Sequence, residues 1–127
     1  MTRVLFIGQA PETVDFSDPA LPPGTTAEKI AQGIKTAARD MVSRGWQADL
    51  CMITPDNAGM DQLKAQLGAT LYDCVVIGGG LRVPDKTLRL FETVLNAVHR
   101  LQPEAAIAFN SRPEDTADAA ARWLVET

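Results

Sequence analysis

The residues whose type and spacing best suit chemistry are Gly78-Gly79-Gly80-Leu81-Arg82, which follow directly on the apolar run Cys74-Val75-Val76-Ile77. Uncovered backbone N–H groups at the opening of a helix attract phosphate or carboxylate. Glycine lets a ligand approach the main chain closely and permits backbone angles closed to other residues. A second group, Asn110-Ser111-Arg112, ends the later apolar run Ala105 to Phe109. Gly78, Gly79, Gly80, Arg82, Asn110, Ser111 and Arg112 are therefore the candidate ligand-binding set. In it, the two arginines hold an anionic group and Asn110 and Ser111 hydrogen-bond to the ligand. A strand-to-helix turn that needs glycine for geometry alone explains the same three glycines, and both readings stay open. If a reaction occurs, Asp15 is the candidate acid–base residue.

Better-known fingerprints fail. Gly78-Gly79-Gly80-Leu81-Arg82-Val83 carries Val where the dinucleotide motif needs its third glycine, and it follows the third strand instead of the first. A Gly-Lys-Ser/Thr motif is missing, so a Walker-type phosphate loop is absent, and the sequence names no cofactor. Gly8-Gln9-Ala10-Pro11 lacks the hydroxyl-rich phosphate loop of a flavodoxin, and the paired acids and acceptor Asp of a receiver domain are also missing. Ser111 has no Gly-x-Ser-x-Gly setting. His99, the single histidine, falls roughly 15 residues into a helix, about 22 Å along its axis from the glycine turn. It is read as a surface residue. Cys51 and Cys74 lie in strands and read as packing residues.

These groups need elements to position them. Arg3 to Ile7 is a compact apolar run, read as the first strand. The following stretch, Gln9 to Gly24, contains Pro11, Pro19, Pro22 and Pro23, which exclude a regular helix or central strand. A loop this long within a compact domain is uncommon and tends to be functional. It reads as an ordered lid anchored by Val14, Phe16 and Leu21. Three acids, Glu12, Asp15 and Asp18, lie on it. Three readings compete: Asp15 or Asp18 clamps the lid onto Arg82 or Arg112, a small anion shares those arginines, or Asp15, Asp18 and Asp56 bind magnesium. The first is preferred, and no metal site is assigned.

A helix begins at Thr25 or Thr26, with Thr25 and Glu28 at capping-box spacing. Gly45 supplies a left-handed stop on which Trp46 packs back. The second strand, Gln47 to Thr54, is less uniformly apolar and suits an edge. Met60, Leu63, Leu67 and Leu71 mark the next helical stripe. The third helix is expected from Pro84 to about Leu101. Its apolar residues, Leu88, Leu90, Phe91, Val94, Leu95, Ala97, Val98 and Leu101, cover about half the circumference, against the ~100° stripe a surface helix needs. That width implies a second contact, and a homodimer through this helix is the expectation. A last helix opens at Pro113 with Glu114 and Asp115 in its first turn.

Strands alternating with helices imply a parallel sheet covered on both faces, a three-layer α/β/α sandwich. With right-handed crossovers and strand order 2-1-3-4, the first and last helices share one face and the middle two share the other. The topological switch then lies between the first and third strands, which brings the long loop beside the three glycines. The same order puts a strand between Cys51 and Cys74, which rules against a disulfide.

One domain over residues 1–127 suits the length. With 46% hydrophobic and 22% charged residues the composition is that of a globular protein. A net charge of −4 without a basic stripe argues against nucleic acid or anionic membrane as partner. No apolar stretch nears the roughly 20 residues that span a bilayer. Met1 leads straight into a strand without a signal-peptide pattern, and two cysteines are too few for a disulfide scaffold. The cytoplasm is the expected compartment.

Thr13-Val14-Asp15-Phe16-Ser17-Asp18-Pro19 with Leu21-Pro22-Pro23-Gly24, Tyr72 to Gly80, and Ala108-Phe109-Asn110 with Arg112-Pro113-Glu114-Asp115 together carry a resemblance. Across nearly its whole length the chain resembles a group of small bacterial α/β proteins with no established activity. The resemblance implies a single Rossmann-like or flavodoxin-like domain and adds no catalytic residue. The functional expectation is a small anionic ligand, bearing phosphate or carboxylate, at the C-terminal edge of the sheet. The alternative is a non-enzymatic homodimeric interaction module whose lid is held shut by salt bridges.

Overall fold

The structure, a computed structural model, describes residues 1–124. Four parallel strands, β1 (Arg3–Gln9), β2 (Gln47–Ile53), β3 (Cys74–Ile77) and β4 (Ala106–Phe109), form one sheet in the order β2-β1-β3-β4. Val4 of β1 pairs with Ala48 on one side and Cys74 on the other, and Cys74 pairs with Ala106. The helices are α1 (Ala27–Ser43), α2 (Asn57–Ala69), the single turn α3 (Gly79–Arg82), α4 (Leu88–Leu101) and α5 (Thr116–Ala121). This is the expected α/β/α sandwich of the Rossmann and flavodoxin kind.

The period-two alternation of a strand divides each one between two cores. Leu5, Ile7, Val75 and Ile77 face α2 and α4, where Met60, Leu63, Leu67, Val94 and Val98 meet them. Val4, Phe6, Cys74 and Val76 face α1 and α5, packing on Ile34, Ala37, Met41, Ala117 and Ala120. Burial on both faces explains the unbroken apolar runs of β1 and β3. Each fully buried Val, Leu or Ile contributes about 1.5–3 kcal/mol. Edge strand β2 alternates with polar positions, as its composition predicts.

Local signals set most of the element ends. Thr26 caps α1, its Oγ1 accepting from the N–H of Lys29 at 3.1 Å, while the Thr25 hydroxyl donates to the Pro22 carbonyl. At the other end Gly45 adopts φ +86°. The N–H of Trp46 then donates to the Met41 carbonyl and that of Gly45 to Val42, a Schellman closure. Asp56 caps α2 through the N–H of Gly59.

Four expectations are corrected. The helix expected from Pro84 begins at Leu88, because Pro84 is extended and separates the one-turn α3 from the short 3-10 turn Asp85–Thr87 that leads into α4. Leu71 lies beyond the end of α2 and is 84% exposed, so it is not part of that helical stripe. Phe16 is exposed, so it is not one of the buried anchors of the long loop. The breadth of the α4 apolar face is mostly used within the chain itself: Leu90, Phe91 and Leu95 pack partly buried against the core, and the Phe91 ring meets Phe109 of edge strand β4 at 5.8 Å. Leu88 and Leu101, at opposite ends of α4, remain exposed.

Candidate functional site

The C-terminal ends of β1 and β3 open into a cavity of about 340 Å³. Phe6 and Gly8 of β1 and Met52 of β2 line it from the sheet, and Ile30 and Ile34 from the first turns of α1. Gly78, Gly79 and Gly80 form another wall, Asn110, Ser111, Arg112 and Glu114 a third, and Val14 with residues 20–25 of the long loop the fourth. The switch in strand order thus brings the loop beside the glycine turn, as the topology requires. Thr54 to Asn57, which follow the C-terminal end of β2, are not among the lining residues.

None of the three glycines has a positive φ, so unusual backbone angles do not require them. A Cβ on Gly78 would lie 3.2 Å from the Ile7 carbonyl oxygen, and one on Gly79 would lie 3.0 Å from that of Ser111. Gly80 differs, with open space where its side chain would be. The geometric explanation therefore accounts for two of the three glycines, and the third, the exposed Gly80, lines the cavity without a close neighbour.

Most polar groups of the floor already have partners. The N–H of Gly78 donates to Ile7 and that of Gly79 to Asn110 Oδ1, each at 2.8 Å. The buried Asn110 amide also donates from Nδ2 to Thr116 Oγ1 at 2.9 Å, so it ties the glycine turn, the end of β4 and the start of α5 together. The N–H groups of Ser111 and Arg112 donate to Asp115 Oδ1, at 3.1 and 3.5 Å. Asp115 thus supplies these two amides with a carboxylate from the chain itself.

Two residues of the expected set lie elsewhere. The Arg82 guanidinium donates to the Asn110 carbonyl at 3.0 Å and stands over the Phe109 ring, outside the cavity lining. Asp15 is also outside the lining. Its carboxylate pairs with Lys86 and accepts from the backbone and hydroxyl of Ser17. These bonds, that from Lys86 foremost, hold its carboxyl well below the usual carboxylate range, and the same pairing raises Lys86. So low a carboxyl is a weak base at neutral pH.

The expected lid clamp exists with a different base. Lys86, in the turn before α4, bonds Asp15 and lies 3.9 Å from Asp18, in place of Arg82 or Arg112. Inside the loop, Asp18 accepts from the N–H of Ala20, and Gln9 Nε2 donates to Thr13. Asp56 is bound to Thr54 and Gly59 at the start of α2, which lowers its pKa. Among the described residues no three His, Cys, Asp or Glu side chains group as metal ligands. His99 is exposed in the last turn of α4.

Lys29 was not singled out from the sequence. It is exposed at the cavity wall and donates from Nζ to the Gly24 carbonyl at 2.9 Å. Its signal was its position in the first turn of α1, level with the ends of the strands. Neither Lys29 nor Arg112 has a carboxylate partner among the described residues. Glu114 reaches the same wall because Gly33 leaves room: a Cβ there would lie 2.6 Å from Glu114 Oε1. No helix among the described residues is long and apolar enough to cross a membrane. Compared with known proteins, the chain matches no family model and no curated sequence.

Proposed function

We propose that this protein binds a small anionic ligand in the crest cavity, with the 10–26 loop as its cover. The observation that carries this reading is the cavity of about 340 Å³ at the switch in strand order, bordered by the unpaired cations Lys29 and Arg112. Its size falls within the range of small-molecule sites, and its place is where open parallel sheets hold ligands. Arg112 replaces Arg82 as the principal anchor, with Lys29 beside it. Asp15 acts on the lid, through Lys86, and not on the ligand.

The test is a thermal-shift screen against nucleotides, flavin mononucleotide, sugar phosphates and small carboxylates. A ligand at 100 times its Kd adds about 2.7 kcal/mol, several degrees in a domain of this size. The shift is expected to disappear in Gly80→Leu, which adds a bulky side chain to the cavity lining where none now stands. A shift that survives this substitution moves the site elsewhere.

The second reading is a homodimeric interaction module with a permanently closed lid. It is favoured by the Lys86 clamp and by the exposed side chains of Leu88 on α4 and Phe109 on edge strand β4. Sedimentation at micromolar concentration tests it, with a dimer that Leu88→Glu dissociates as the expected result. A wild-type monomer removes this reading.

A further inference from the structure

We propose that the ligand is a monocarboxylate with an apolar body, the body lying against Phe6, Ile30, Ile34 and Met52 and the carboxylate at the mouth between Lys29 and Arg112. This rests on the crest cavity being the binding site and specifies what enters it. The inner wall offers hydrocarbon and a thioether, with Val14 and Leu21 of the loop added. The polar groups nearest the glycine turn are bonded to one another: Gly78 to Ile7, Gly79 to Asn110, and Asn110 to Thr116. Among the described residues no buried side-chain nitrogen or oxygen lacks a partner. A sugar, a base or a phosphate placed against Phe6, Ile30, Ile34 and Met52 would lose its hydration and meet hydrocarbon and a thioether in return. An apolar body loses nothing there and gains by leaving water.

Charge decides the other end. Lys29 and Arg112 reach the cavity without carboxylate partners among the described residues, in a chain whose net charge is −4. A guanidinium presents a planar fork that fits a carboxylate, and the ammonium adds a second positive charge. Glu114 lines the same wall and repels a second negative charge, so the site prefers a monoanion to a phosphate dianion. The Asp115 carboxylate on the amides of Ser111 and Arg112 acts in the same direction.

The experiment titrates the full chain with butyrate, hexanoate, octanoate, decanoate and 3-phenylpropionate. Octanol, octyl phosphate, inorganic phosphate and adenosine monophosphate serve as contrasts. Affinity is expected to rise about fourfold per added methylene until the cavity is full. Octanoate should bind more tightly than either octanol or octyl phosphate. Arg112→Gln should weaken octanoate about tenfold and leave octanol unchanged. As a readout independent of any variant, the Met52 ε-methyl and Ile30 and Ile34 δ-methyl resonances should move on adding octanoate. Equal affinity for octanol and octanoate, with Arg112→Gln silent, overturns the carboxylate assignment. Binding of phosphate or adenosine monophosphate without carboxylate binding, abolished by Gly80→Leu, overturns the apolar body and leaves the crest site standing. If no compound binds and no methyl resonance moves, both the inference and the function beneath it fall.

Discussion

Gly79 and Gly80 are neighbours in one helical turn, yet they answer to different constraints. Gly79 lies where a Cβ would press on the Ser111 carbonyl at 3.0 Å, while Gly80 has room. Gly79→Ala is expected to destabilise the protein by about 1–3 kcal/mol, the range for overpacking. Gly80→Ala should raise stability by roughly 0.5–1 kcal/mol, since alanine is the better helix residue. Urea unfolding of the two variants checks both signs. From sequence alone the three glycines were indistinguishable, because what separates them is the approach of residues 110–111, distant in the chain. The Lys86 clamp makes a pH prediction. Asp15 is lowered by its bond to Lys86, so the stability it adds is fully present above its ordinary value of 3.8 and lost as the pH falls below it. Lys86 is raised by Asp15, so its contribution holds below 10.5 and is lost as the pH rises beyond its folded value. Proteolysis within residues 10–26 should therefore be slowest between about pH 5 and 10 and faster on either side. It should also quicken with salt, because the pair is exposed. In Asp15→Asn both dependences should flatten.

Elements with their punctuation inside a short window were legible, and those ended by tertiary contacts were not. Gly45-Trp46 closes α1 as expected because the whole motif spans six residues, from the Met41 carbonyl to the Trp46 N–H. The start of α4 was misplaced because proline at a helix start and proline at a break look alike in one dimension. Here Pro84 ends the turn that Gly79 begins. The width of the α4 stripe pointed outward to a partner, whereas much of it is answered inward by β4 through Phe91 and Phe109. At the junction of β2 and α2, a Cβ on Gly59 would lie 1.9 Å from the Thr54 carbonyl oxygen. No rotamer change relieves a clash with backbone, so α2 would have to lift from the sheet. Gly59→Ala is expected to destabilise by roughly 3 kcal/mol or more, at the upper end of overpacking costs. Chemical denaturation checks it, and a change below 1 kcal/mol would mean that the turn yields.

For the whole molecule, the alternation of strands and helices and the two-sided apolar runs of β1 and β3 were enough to order the sheet and assign helices to its faces. The position of the candidate site followed from that order. Its chemistry did not, because Phe6, Ile30, Ile34 and Met52 read as ordinary core residues, and only the course of the long loop leaves a cavity beside them. The sheet also separates the two thiols. Cys51 belongs to the layer under α2 and α4, and Cys74 to the layer under α1 and α5. Burial pushes the Cys51 thiol up and carries Cys74 up to about 12, with Asp73 adding to the second. Each sulfur is therefore a clock for the opening of one layer. In single-cysteine versions, Cys51→Ala and Cys74→Ala, labelling by a thiol reagent should follow two different rates if the layers loosen independently. The rates should converge only in denaturant, where the whole sheet comes apart at once. Phe6 and Ile34, which line the crest cavity, share a layer with Cys74, so a ligand held there would touch that layer. Bound ligand should slow that clock and leave the one at Cys51 running at its own pace.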